Sequence, residues 1–491
     1  MLALKNAGSL YLNGEWVEVA ERIEVINPAD ETVIALVPQG GLGHVDAAIG
    51  AAREAFDRGP WPRLPQSRRQ AILNAFLDAA ERRRDEIVAL IVAEAGATQA
   101  LAGFMQFAIP IQHARHSIAL SGRPTMTPLP VEAVPNAAGG QNVAAGVVCR
   151  DPVGVVAAIT PYNFPFFLNI GKVVPSLAVG CTVVLKPSPY TPIEALILGE
   201  LANEAGLPPG VLNIVTGDLD VGLQLTTDPR VDMISFTGSD KVGAMIQAQA
   251  APTLKRCVME LGGKSALIVR ADADIAKAAR SGLAGFTTHC GQGCALLTRH
   301  IVHNSVRAQY VEAVRSLVSQ VKIGNPADPT VTMGPLIRDV ARTRAEQYVE
   351  IGLAGNARLV TGGKRPAGLE RGFFFEPTLF DEVDNASRLA QEEIFGPIGA
   401  VIGFDTDDEA IALANDSEFG LSGGIYSADA GLAFEMARNL RTGGVTINGG
   451  SGRMSSHAPF GGIKRSGYGR EYGEEGLNEF TTIKTIGFRA A

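Results

Sequence analysis

Short runs rich in β-branched residues alternate with helical stretches from Val153 onward, and this rhythm restricts the fold more than any other feature of the chain. The runs lie roughly 20–30 residues apart, which is the spacing of strand–helix–strand units. They read VGVVAAI, CTVVLKP, VLNIVTG, VDMISFTG and KRCVMEL. Because strands joined by helices pair in parallel, the pattern predicts an α/β fold built on a buried parallel sheet.

A second α/β series begins at Ser265. Its predicted strands read SALIVR, HIVHN, ARLVTGG, AVIGF, GGIYS and GGVTIN. Helical windows separate them near 305–320, 338–353 and 428–440. A chain of 491 residues is too long for one hydrophobic core, so the two series predict two α/β domains that join near Gly262 and Gly263.

The region before these runs contains predicted helices and a proline-rich segment. From Ser67 to about Ala95, apolar residues recur at intervals of three and four, which predicts amphipathic helices. Between Ser121 and Pro135 the sequence is rich in proline, and the following QNVAAGVVCRDP has the pattern of a strand or hairpin. We therefore expect an arm that leaves the core near 121–150.

The helix that follows CTVVLKP has a predicted amino-terminal cap. Thr191 can act as the capping residue, Pro192 suits the first turn, and Glu194 stands where a capping box needs an acid. We therefore expect this helix to be capped by its own side chains.

Charge and composition exclude several classes of protein. The formal net charge is -8 and the basic residues are scattered, so we expect no nucleic-acid partner. The apolar runs are far shorter than the ~20 residues of a membrane span, so no membrane partner is expected either. The opening MLALKNAGSLYLNGEW resembles neither a signal peptide nor a transit peptide, which predicts a cytoplasmic location. Five cysteines without paired spacing predict reduced thiols.

Cys294 is the first candidate for chemistry. It stands between Gly293 and Ala295, where a substrate can approach the sulfur closely, and a thiolate is a strong nucleophile when its pKa is lowered. A buried inert cysteine is the alternative. His289 and Cys290 raise a zinc site as a further alternative, but such a site needs about four ligands and no second pair stands at matching spacing. We expect no metal.

Glu260 and Asn163 each follow a predicted buried strand. Glu260 ends the run KRCVMEL just before two glycines, and partial burial of a carboxyl there raises its pKa to suit a general base. Asn163, in ITPYNFP, is presented at the carboxyl end of the sheet, where α/β folds bind ligands and an amide can hold an oxyanion. A solvated strand-end carboxylate and an ordinary asparagine turn are the alternatives.

The usual dinucleotide fingerprint G-x-G-x-x-G is missing from the chain. The segment Phe236–Ser239 ends a predicted strand and begins a helix, where backbone amides and the helix dipole favour an anion. An ordinary strand-to-helix turn has the same pattern, so the segment is only a candidate for binding pyrophosphate.

A series of segments, taken in order, resembles the aldehyde dehydrogenase superfamily over nearly the whole chain. They are YLNGEWV, INPAD, ITPYNFP, LKPS, FTGS, MELGGKS, GQGC, EEIFGP and PFGGIKRSGYGRE. The spacing of 34 residues from Glu260 to Cys294 also fits the family. The resemblance implies an α/β, aldehyde-dehydrogenase-like fold with two Rossmann-like α/β domains, one for the cofactor and one catalytic, and a small β oligomerisation arm.

The resemblance also implies domain boundaries and an assembly. Residues 1–120 and 151–261 would form the dinucleotide-binding domain, and residues 262–455 the catalytic domain with the nucleophilic cysteine. Residues 121–150 and 470–491 would form the oligomerisation arm of a homodimer or homotetramer.

Four residues match the family's catalytic positions. Cys294 would attack the aldehyde to give a thiohemiacetal and then a thioester, and Asn163, with the backbone amide of Cys294, would hold the oxyanion. Glu260 would activate the water that hydrolyses the thioester. Lys172 resembles the family lysine close to Asn163 that supports the site and proton movement. The implied reaction is NAD(P)-dependent oxidation of an aldehyde to its carboxylic acid.

The resemblance implies a cleft for NAD, with NADP as a further candidate. Lys186 resembles the lysine at the adenine ribose, and Gly238 with Ser239 resembles the pyrophosphate turn. Glu393 with Phe395 resembles the clamp on the nicotinamide ribose. Further matched positions that line the cleft are Ile159, Thr160, Pro161, Ser188 and Pro189.

Pro189 departs from the family pattern. Many NAD-preferring members read Lys-Pro-Ser-Glu, in which the acid holds the ribose 2′-hydroxyl, whereas this chain reads KPSP. Loss of the acid removes a repulsion against the 2′-phosphate of NADP, but no arginine has been added to attract it. We therefore expect use of NAD with a relaxed preference.

The resemblance assigns a substrate tunnel as well. Its matched residues are Phe164, Phe167, Leu168, Gly171, Gly293 and Met454, and Phe166 lies on the same helix. Gly171 stands at a position that is often bulky, and Met454 at one that is often aromatic. We expect a roomy tunnel for a medium-sized apolar or aromatic aldehyde, with Arg453 as the one feature that favours an anionic substrate.

Three other functions are alternatives. A CoA-acylating semialdehyde dehydrogenase would transfer the acyl group to CoA, but the presence of Glu260 favours water. A semialdehyde-specific dehydrogenase and a binding protein that kept the fold without catalysis are the others.

Overall fold

The computed structural model of the chain describes residue 6, residues 8–450 and residues 455–489, without the side chain of Arg489. Arg453 and Met454 lie outside the described residues. No helix within the described part is both long and apolar enough to cross a membrane.

Strands and helices alternate along most of the described chain. The strands are β1 (Ser9–Leu12), β2 (Glu15–Glu18), β3 (Arg22–Ile26), β4 (Val33–Pro38), β5 (Met126–Pro128), β6 (Glu132–Pro135), β7 (Gln141–Pro152), β8 (Val155–Ile159), β9 (Thr182–Lys186), β10 (Leu212–Ile214), β11 (Met233–Thr237), β12 (Arg256–Glu260), β13 (Ala266–Val269), β14 (Arg299–His303), β15 (Arg358–Thr361), β16 (Thr378–Asp381), β17 (Ile398–Phe404), β18 (Phe419–Gly420), β19 (Ser422–Tyr426), β20 (Gly444–Ile447), β21 (Ile463–Lys464), β22 (Gly467–Tyr468) and β23 (Thr481–Arg489). The α-helices are α1 (Leu42–Asp57), α2 (Gln66–Arg82), α3 (Arg84–Ala95), α4 (Gln99–Leu101), α5 (Ile109–Ser121), α6 (Pro165–Val179), α7 (Ile193–Glu204), α8 (Leu219–Thr227), α9 (Asp240–Ala250), α10 (Ile275–Thr287), α11 (Asn304–Val318), α12 (Asp339–Ala354), α13 (Arg388–Gln391), α14 (Asp407–Asn415), α15 (Ala430–Asn439) and α16 (Gly473–Glu479).

The first large sheet has eight strands in the order β2-β1-β10-β9-β8-β11-β12-β22. The five strands from β10 to β12 are parallel, and they are the five runs predicted from the sequence. Their side chains are almost all buried on both faces, which explains why the runs are continuously apolar. The carboxyl ends of β8, β9, β11 and β12 therefore meet at one edge of the sheet.

The second large sheet has seven strands in the order β15-β16-β17-β14-β13-β19-β20. All of its pairs are parallel except β15 with β16, and it contains every predicted strand of the second series. The sequence prediction missed β16, α10 and α14. The chain passes from the first sheet to the second between Glu260 and Ala266, across the predicted glycine pair.

A third sheet joins two distant parts of the chain. The predicted strand QNVAAGVVCRDP is β7, which pairs with β5, β6 and β23. Strand β23 runs antiparallel to β7 from the pair Thr481 and Pro152 to the pair Arg489 and Ala144. Many apolar side chains of this sheet are exposed, including Met126, Val134, Val143, Ile483, Ile486 and Phe488.

The predicted capping box at α7 is wrong. No side chain of the helix caps its amino terminus, and the hydroxyl of Thr191 has no hydrogen-bond partner within the described structure. Instead, Glu94 of α3 accepts a hydrogen bond from the backbone N–H of Ile193 at 2.7 Å. Glu194 is fully buried beside Glu94, and neither of its carboxylate oxygens has a hydrogen-bond partner in the described structure. A tertiary contact has replaced the local one.

Candidate active site

Cys294 lies in a strained loop between α10 and β14. The loop starts with a 3₁₀ turn in which His289, Cys290 and Gly291 have φ angles of 50°, 54° and 75°. A side chain at position 291 would collide with the backbone of Gly396 and Pro397, so glycine is required there. Strained backbone of this kind is typical of functional sites. The turn presents the half-buried Cys294, whereas Cys290 is fully buried.

The thiol of Cys294 is protonated near neutral pH. Burial raises its pKa to about 12, and the carboxylates of Glu260, Glu393 and Glu471 add to the shift by like-charge repulsion of the thiolate. The sulfur therefore needs a base to take its proton before it can act as a nucleophile.

Asn163 lies in the turn between β8 and α6, after the strand that the sequence predicted. Its Nδ2 donates to the backbone carbonyl of Gln292 at 2.8 Å, which ties the amide to the loop of Cys294. Because a carboxamide nitrogen has two hydrogens, the second can serve an oxyanion. The backbone carbonyl of Asn163 in turn accepts a hydrogen bond from Nε2 of Gln106 at 3.3 Å. Gln106 belongs to a π-helical turn, Ala102–Ala108, and sequence reasoning gave no sign of its role.

Glu260 ends β12 and is only 2% exposed. Neither carboxylate oxygen has a hydrogen-bond partner among the described residues. Burial raises its pKa well above the usual range, and the neighbouring Glu471 raises it further, while Lys172 has the opposite effect. A buried carboxyl with free oxygens and a raised pKa has the properties of a general base.

Lys172 is held by a residue that the sequence prediction missed. Its ammonium on α6 donates to Glu471 and to the hydroxyl of Ser235 at 3.0 Å, and the ion pair is completely buried. The sequence indicated Glu471 only indirectly. A lysine in an apolar helix needs a counter-ion, and the segment SGYGRE contains a glutamate far along the chain.

The predicted cofactor residues lie along the carboxyl edge of the first sheet. Lys186 ends β9 and is buried, and burial lowers its pKa to about 8, while Asp218 opposes this shift. Gly238 and Ser239 connect β11 to α9, and the Ser239 hydroxyl caps that helix by accepting from Val242 N–H at 3.3 Å. A cation and a helix amino terminus at one sheet edge suit a phosphate-bearing ligand.

The segments after β8 and β9 complete this edge. Ile159 ends β8, and Thr160 and Pro161 follow it; the Thr160 hydroxyl donates to Asn169 at 2.7 Å. Other predicted cofactor positions follow β9, where the Ser188 hydroxyl accepts from the backbone of Tyr190 at 3.2 Å and Pro189 is half-buried.

Glu393 and Phe395 approach from the second sheet. Glu393 accepts from the backbone N–H of Gly263 at 2.9 Å, and burial raises its pKa to about 7. Phe395 has a φ of 56° and its ring lies edge-on to Tyr162 at 6.1 Å. Glu393 thus faces the junction between the two sheets. Together with the buried cation of Lys186, these groups fit a dinucleotide bound between the sheets.

The predicted tunnel residues are only partly grouped as expected. The ring of Phe164 lies 5.4 Å from that of His289, and the ring of Phe167 lies 5.6 Å from that of Tyr472, between centroids. Leu168 follows Phe167 on α6, Gly293 precedes Cys294, and both are half-buried. Phe166 does not join them, because it is fully buried and stacks on Phe107 at 5.3 Å in the core.

The space beside Gly171 is not open. A Cβ at this position would lie 2.7 Å from the hydroxyl oxygen of Tyr472, so the tyrosine occupies the volume that the glycine leaves. The expected roominess at this position is therefore wrong, because the filling side chain comes from a remote part of the sequence. Met454 lies outside the described residues. Within those residues no cluster of three or more potential ligands suits a metal ion.

The aldehyde dehydrogenase family model matches residues 16–486. The chain belongs to the aldehyde dehydrogenase family. The predictions of the family, of its fold and of an oxidoreductase that acts on aldehydes are thereby confirmed.

Two curated relatives have similar lengths. A 3-succinoylsemialdehyde-pyridine dehydrogenase of a Pseudomonas species is 38% identical, over 98% of this chain and 99% of its own. A geranial dehydrogenase of Castellaniella defragrans is also 38% identical, over 97% of this chain and 98% of its own.

Solved aldehyde dehydrogenases have the same fold. Aldehyde dehydrogenase C of Pseudomonas syringae, a cysteine-to-alanine mutant with NAD+ and octanal, is 37% identical with a TM-score of 0.92 over 99% of this chain and 98% of that one. An aldehyde dehydrogenase of Mycobacterium tuberculosis with NAD+ is 40% identical with a TM-score of 0.92 over 98% of this chain and 97% of that one.

Proposed function

We propose that the protein oxidises a medium-sized apolar or aromatic aldehyde to its carboxylic acid, with NAD as the oxidant and a thioester on Cys294 as the intermediate. The observation that carries this proposal is electrostatic. Glu260 raises the pKa of the Cys294 thiol, and Glu471 raises the pKa of Glu260, so nucleophile, candidate base and the partner of Lys172 lie close together in one site.

In the first step the sulfur of Cys294 bonds to the aldehyde carbon and its proton leaves to a base. The carbonyl oxygen becomes an oxyanion, which the second Nδ2 hydrogen of Asn163 and the Cys294 backbone amide stabilise. One such donor is typically worth ~3–4 kcal/mol of barrier. The bond from Asn163 to Gln292 keeps the amide beside the sulfur.

Bound NAD supplies the acceptor for the hydride of the thiohemiacetal. Lys186, the turn at Gly238 and Ser239, and Glu393 would hold the dinucleotide. Lys186 offers a buried cation, the turn begins a helix, and Glu393 offers a carboxylate oxygen at the junction of the two sheets.

In the second step Glu260 takes a proton from water, and the water oxygen bonds to the thioester carbon. The C–S bond then breaks, which releases the acid and restores Cys294. Burial and the free oxygens of Glu260 support this role, and they also favour water over CoA as the acyl acceptor. The ion pair of Lys172 with Glu471 positions charge beside the base.

Two variants test the division of labour between sulfur and carboxylate. Cys294→Ser abolishes NADH formation. Glu260→Gln gives a burst of about one NADH per site and then stalls, because the thioester forms but is not hydrolysed. Cys257→Ser is the matched control, because Cys257 lies near the start of β12, whereas Glu260 ends that strand. A normal steady-state rate for Cys294→Ser contradicts the mechanism, and restoration of Glu260→Gln turnover only by CoA favours the acylating alternative.

The substrate proposal rests on the half-buried aromatic side chains and on the relatives. Phe164 and Phe167 suit an apolar chain or ring, and an octanal-bound structure and a geranial dehydrogenase are among the similar proteins. A kinetic screen of octanal, benzaldehyde, acetaldehyde and succinate semialdehyde tests it. First rank for the charged semialdehyde refutes it and favours a semialdehyde-specific enzyme.

We further propose NAD with a relaxed preference over NADP. Pro189 offers no carboxylate to repel a 2′-phosphate, although Asp218 places a negative charge near Lys186. The ratio of kcat/KM for the two dinucleotides tests this, and Pro189→Glu should shift the ratio toward NAD. A wild-type ratio strongly favouring NADP overturns the proposal.

We also propose two domains and an oligomeric assembly. Residues 1–120 with 151–261 and residues 262–455 would form the two domains, and the third sheet would join subunits in a homodimer or homotetramer. The exposed apolar side chains of that sheet support this, because such surface is usually covered. Light scattering should give an oligomeric mass, and Ile486→Lys should reduce it. A monomeric wild-type protein refutes the assembly.

A further inference from the structure

Tyr472 has a buried hydroxyl that nothing in the described structure satisfies. The residue is only 6% exposed and lies between Glu471 and the first residue of α16. Its hydroxyl oxygen is buried, and no described side chain or backbone group is hydrogen-bonded to it. Buried hydroxyls nearly always have a partner, and this one has a donor hydrogen that no described protein group uses.

The backbone holds Tyr472 in a conformation that a tyrosine rarely adopts. Its φ is 61° and its ψ is 168°, a region used almost only by glycine. Reciprocal backbone hydrogen bonds of 2.7 Å between Phe460 and Glu471 fix the residue before it. The carbonyl of Tyr472 accepts from Gly476 N–H at 3.0 Å. The fold thus maintains a costly geometry that directs this ring.

The ring lies between α6, which carries Phe167 and Gly171, and α5, which carries His113. It contacts His113 at 4.7 Å and Phe167 at 5.6 Å between ring centroids, and its hydroxyl occupies the space beside Gly171. Burial raises its pKa well above the usual range, and the nearby carboxylates of Glu471 and Glu260 add to the shift. The hydroxyl therefore stays protonated and remains a donor at every working pH.

We propose that Tyr472 determines specificity by donating a hydrogen bond from its hydroxyl to an uncharged oxygen or nitrogen acceptor on the aldehyde. This inference rests on the proposed function and narrows its substrate class to an apolar aldehyde with one acceptor atom. An anionic tail is disfavoured, because the carboxylates of Glu260 and Glu471 act on the same hydroxyl. The apolar part of the substrate packs on Phe167.

An oxygen scan tests the proposal. Wild type and Tyr472→Phe are compared on octanal and on analogues in which one methylene at a time is replaced by an ether or keto oxygen. At one position in the series, kcat/KM should fall by about 10-fold in the variant, as expected for one lost hydrogen bond. Octanal itself should change by less than about 3-fold, since it has no acceptor in its chain.

Tyr468→Phe is the matched control, because it removes the same atom from a half-exposed tyrosine on β22 and should alter no ratio. The inference is overturned if Tyr472→Phe changes kcat/KM equally for octanal and for every oxygen analogue. An equal loss would mean that the hydroxyl serves Glu260 instead of the substrate. No change for any substrate would mean that the hydroxyl makes no hydrogen bond to it. Failure of the wild-type enzyme to oxidise any of these aldehydes refutes the proposed function instead. Unchanged thermal unfolding of the variant verifies that it is folded.

Discussion

The ammonium of Lys172 and the carboxylate of Glu471 form an ion pair that is wholly buried between α6 and the segment that precedes α16. Ser235 of β11 accepts a further hydrogen bond from the lysine at 3.0 Å. Removing one partner of a buried pair leaves an uncompensated charge, which typically costs ~3–5 kcal/mol. The pair also sets the charge around Glu260, because Glu471 raises and Lys172 lowers the pKa of that carboxyl.

Glu471→Gln should shift the acid limb of the rate profile to lower pH. The substitution removes a negative charge and leaves Lys172 without its counter-ion, and both changes lower the pKa of Glu260. A base acts when deprotonated, so the variant should keep its deacylation rate at a pH where wild type has lost it. The pH profile of kcat measures this, with Glu474→Gln as an exposed control. An unshifted limb contradicts the coupling.

Glu194→Gln should stabilise the protein above neutral pH. Burial raises the pKa of Glu194 from 4.5 to about 7, although Glu94 partly opposes this shift. The folded state therefore loses stability as the pH rises from about 4.5 to about 7. Glutamine stays neutral, and its amide can donate to Glu94. One pKa unit corresponds to about 1.4 kcal/mol, so the gain at pH 8 should be measurable.

The midpoint of thermal unfolding at pH 5 and pH 8 measures this difference. The variant should gain over wild type at pH 8 and gain little at pH 5. Glu54→Gln, at an exposed site on α1, should behave like wild type at both. If the midpoint of the variant, relative to that of wild type, is lower at pH 8 than at pH 5, the buried carboxyl of Glu194 does not destabilise the protein at high pH.

NAD affinity should weaken as the pH rises through about 8. Burial lowers the pKa of Lys186 to about 8, so its ammonium is present below that pH and lost above it. The dissociation constant of NAD, measured at pH 7 and pH 9, should rise at the higher pH in wild type. Lys186→Gln should bind weakly at both, and the exposed Lys277→Gln should follow wild type. Equal wild-type affinities at the two pH values argue against this contact.

Gly171→Ala should impair wild type more than it impairs Tyr472→Phe. The new Cβ would lie 2.7 Å from the tyrosine hydroxyl, and 3.1 Å from its Cε1. Without the hydroxyl, the 2.7 Å contact disappears, and the closest remaining ring atom is Cε1 at 3.1 Å. Comparing kcat/KM for octanal across the two single variants and the double variant measures the coupling. Strictly additive effects would show that the two residues do not compete for this space.

The sequence predicted regular elements best where local pattern and burial agree. The five parallel runs of the first sheet appear as β8 to β12, because strands buried on both faces are continuously apolar. The prediction failed where tertiary contacts replace local ones, as when Glu94 rather than Thr191 serves the start of α7. It also missed Gln106, whose bond to Asn163 depends on a π-helical turn.

By itself, the sequence determined the family, the alternation of strands and helices, and the candidates Cys294, Glu260, Asn163 and Lys172, because motif order and hydrophobic period are properties of a linear chain. Only the tertiary structure decided what surrounds them. It paired Lys172 with Glu471 and filled the space of Gly171 with Tyr472. These partners lie far apart in sequence, and the burial that sets their charges and contacts exists only once the sheets have packed.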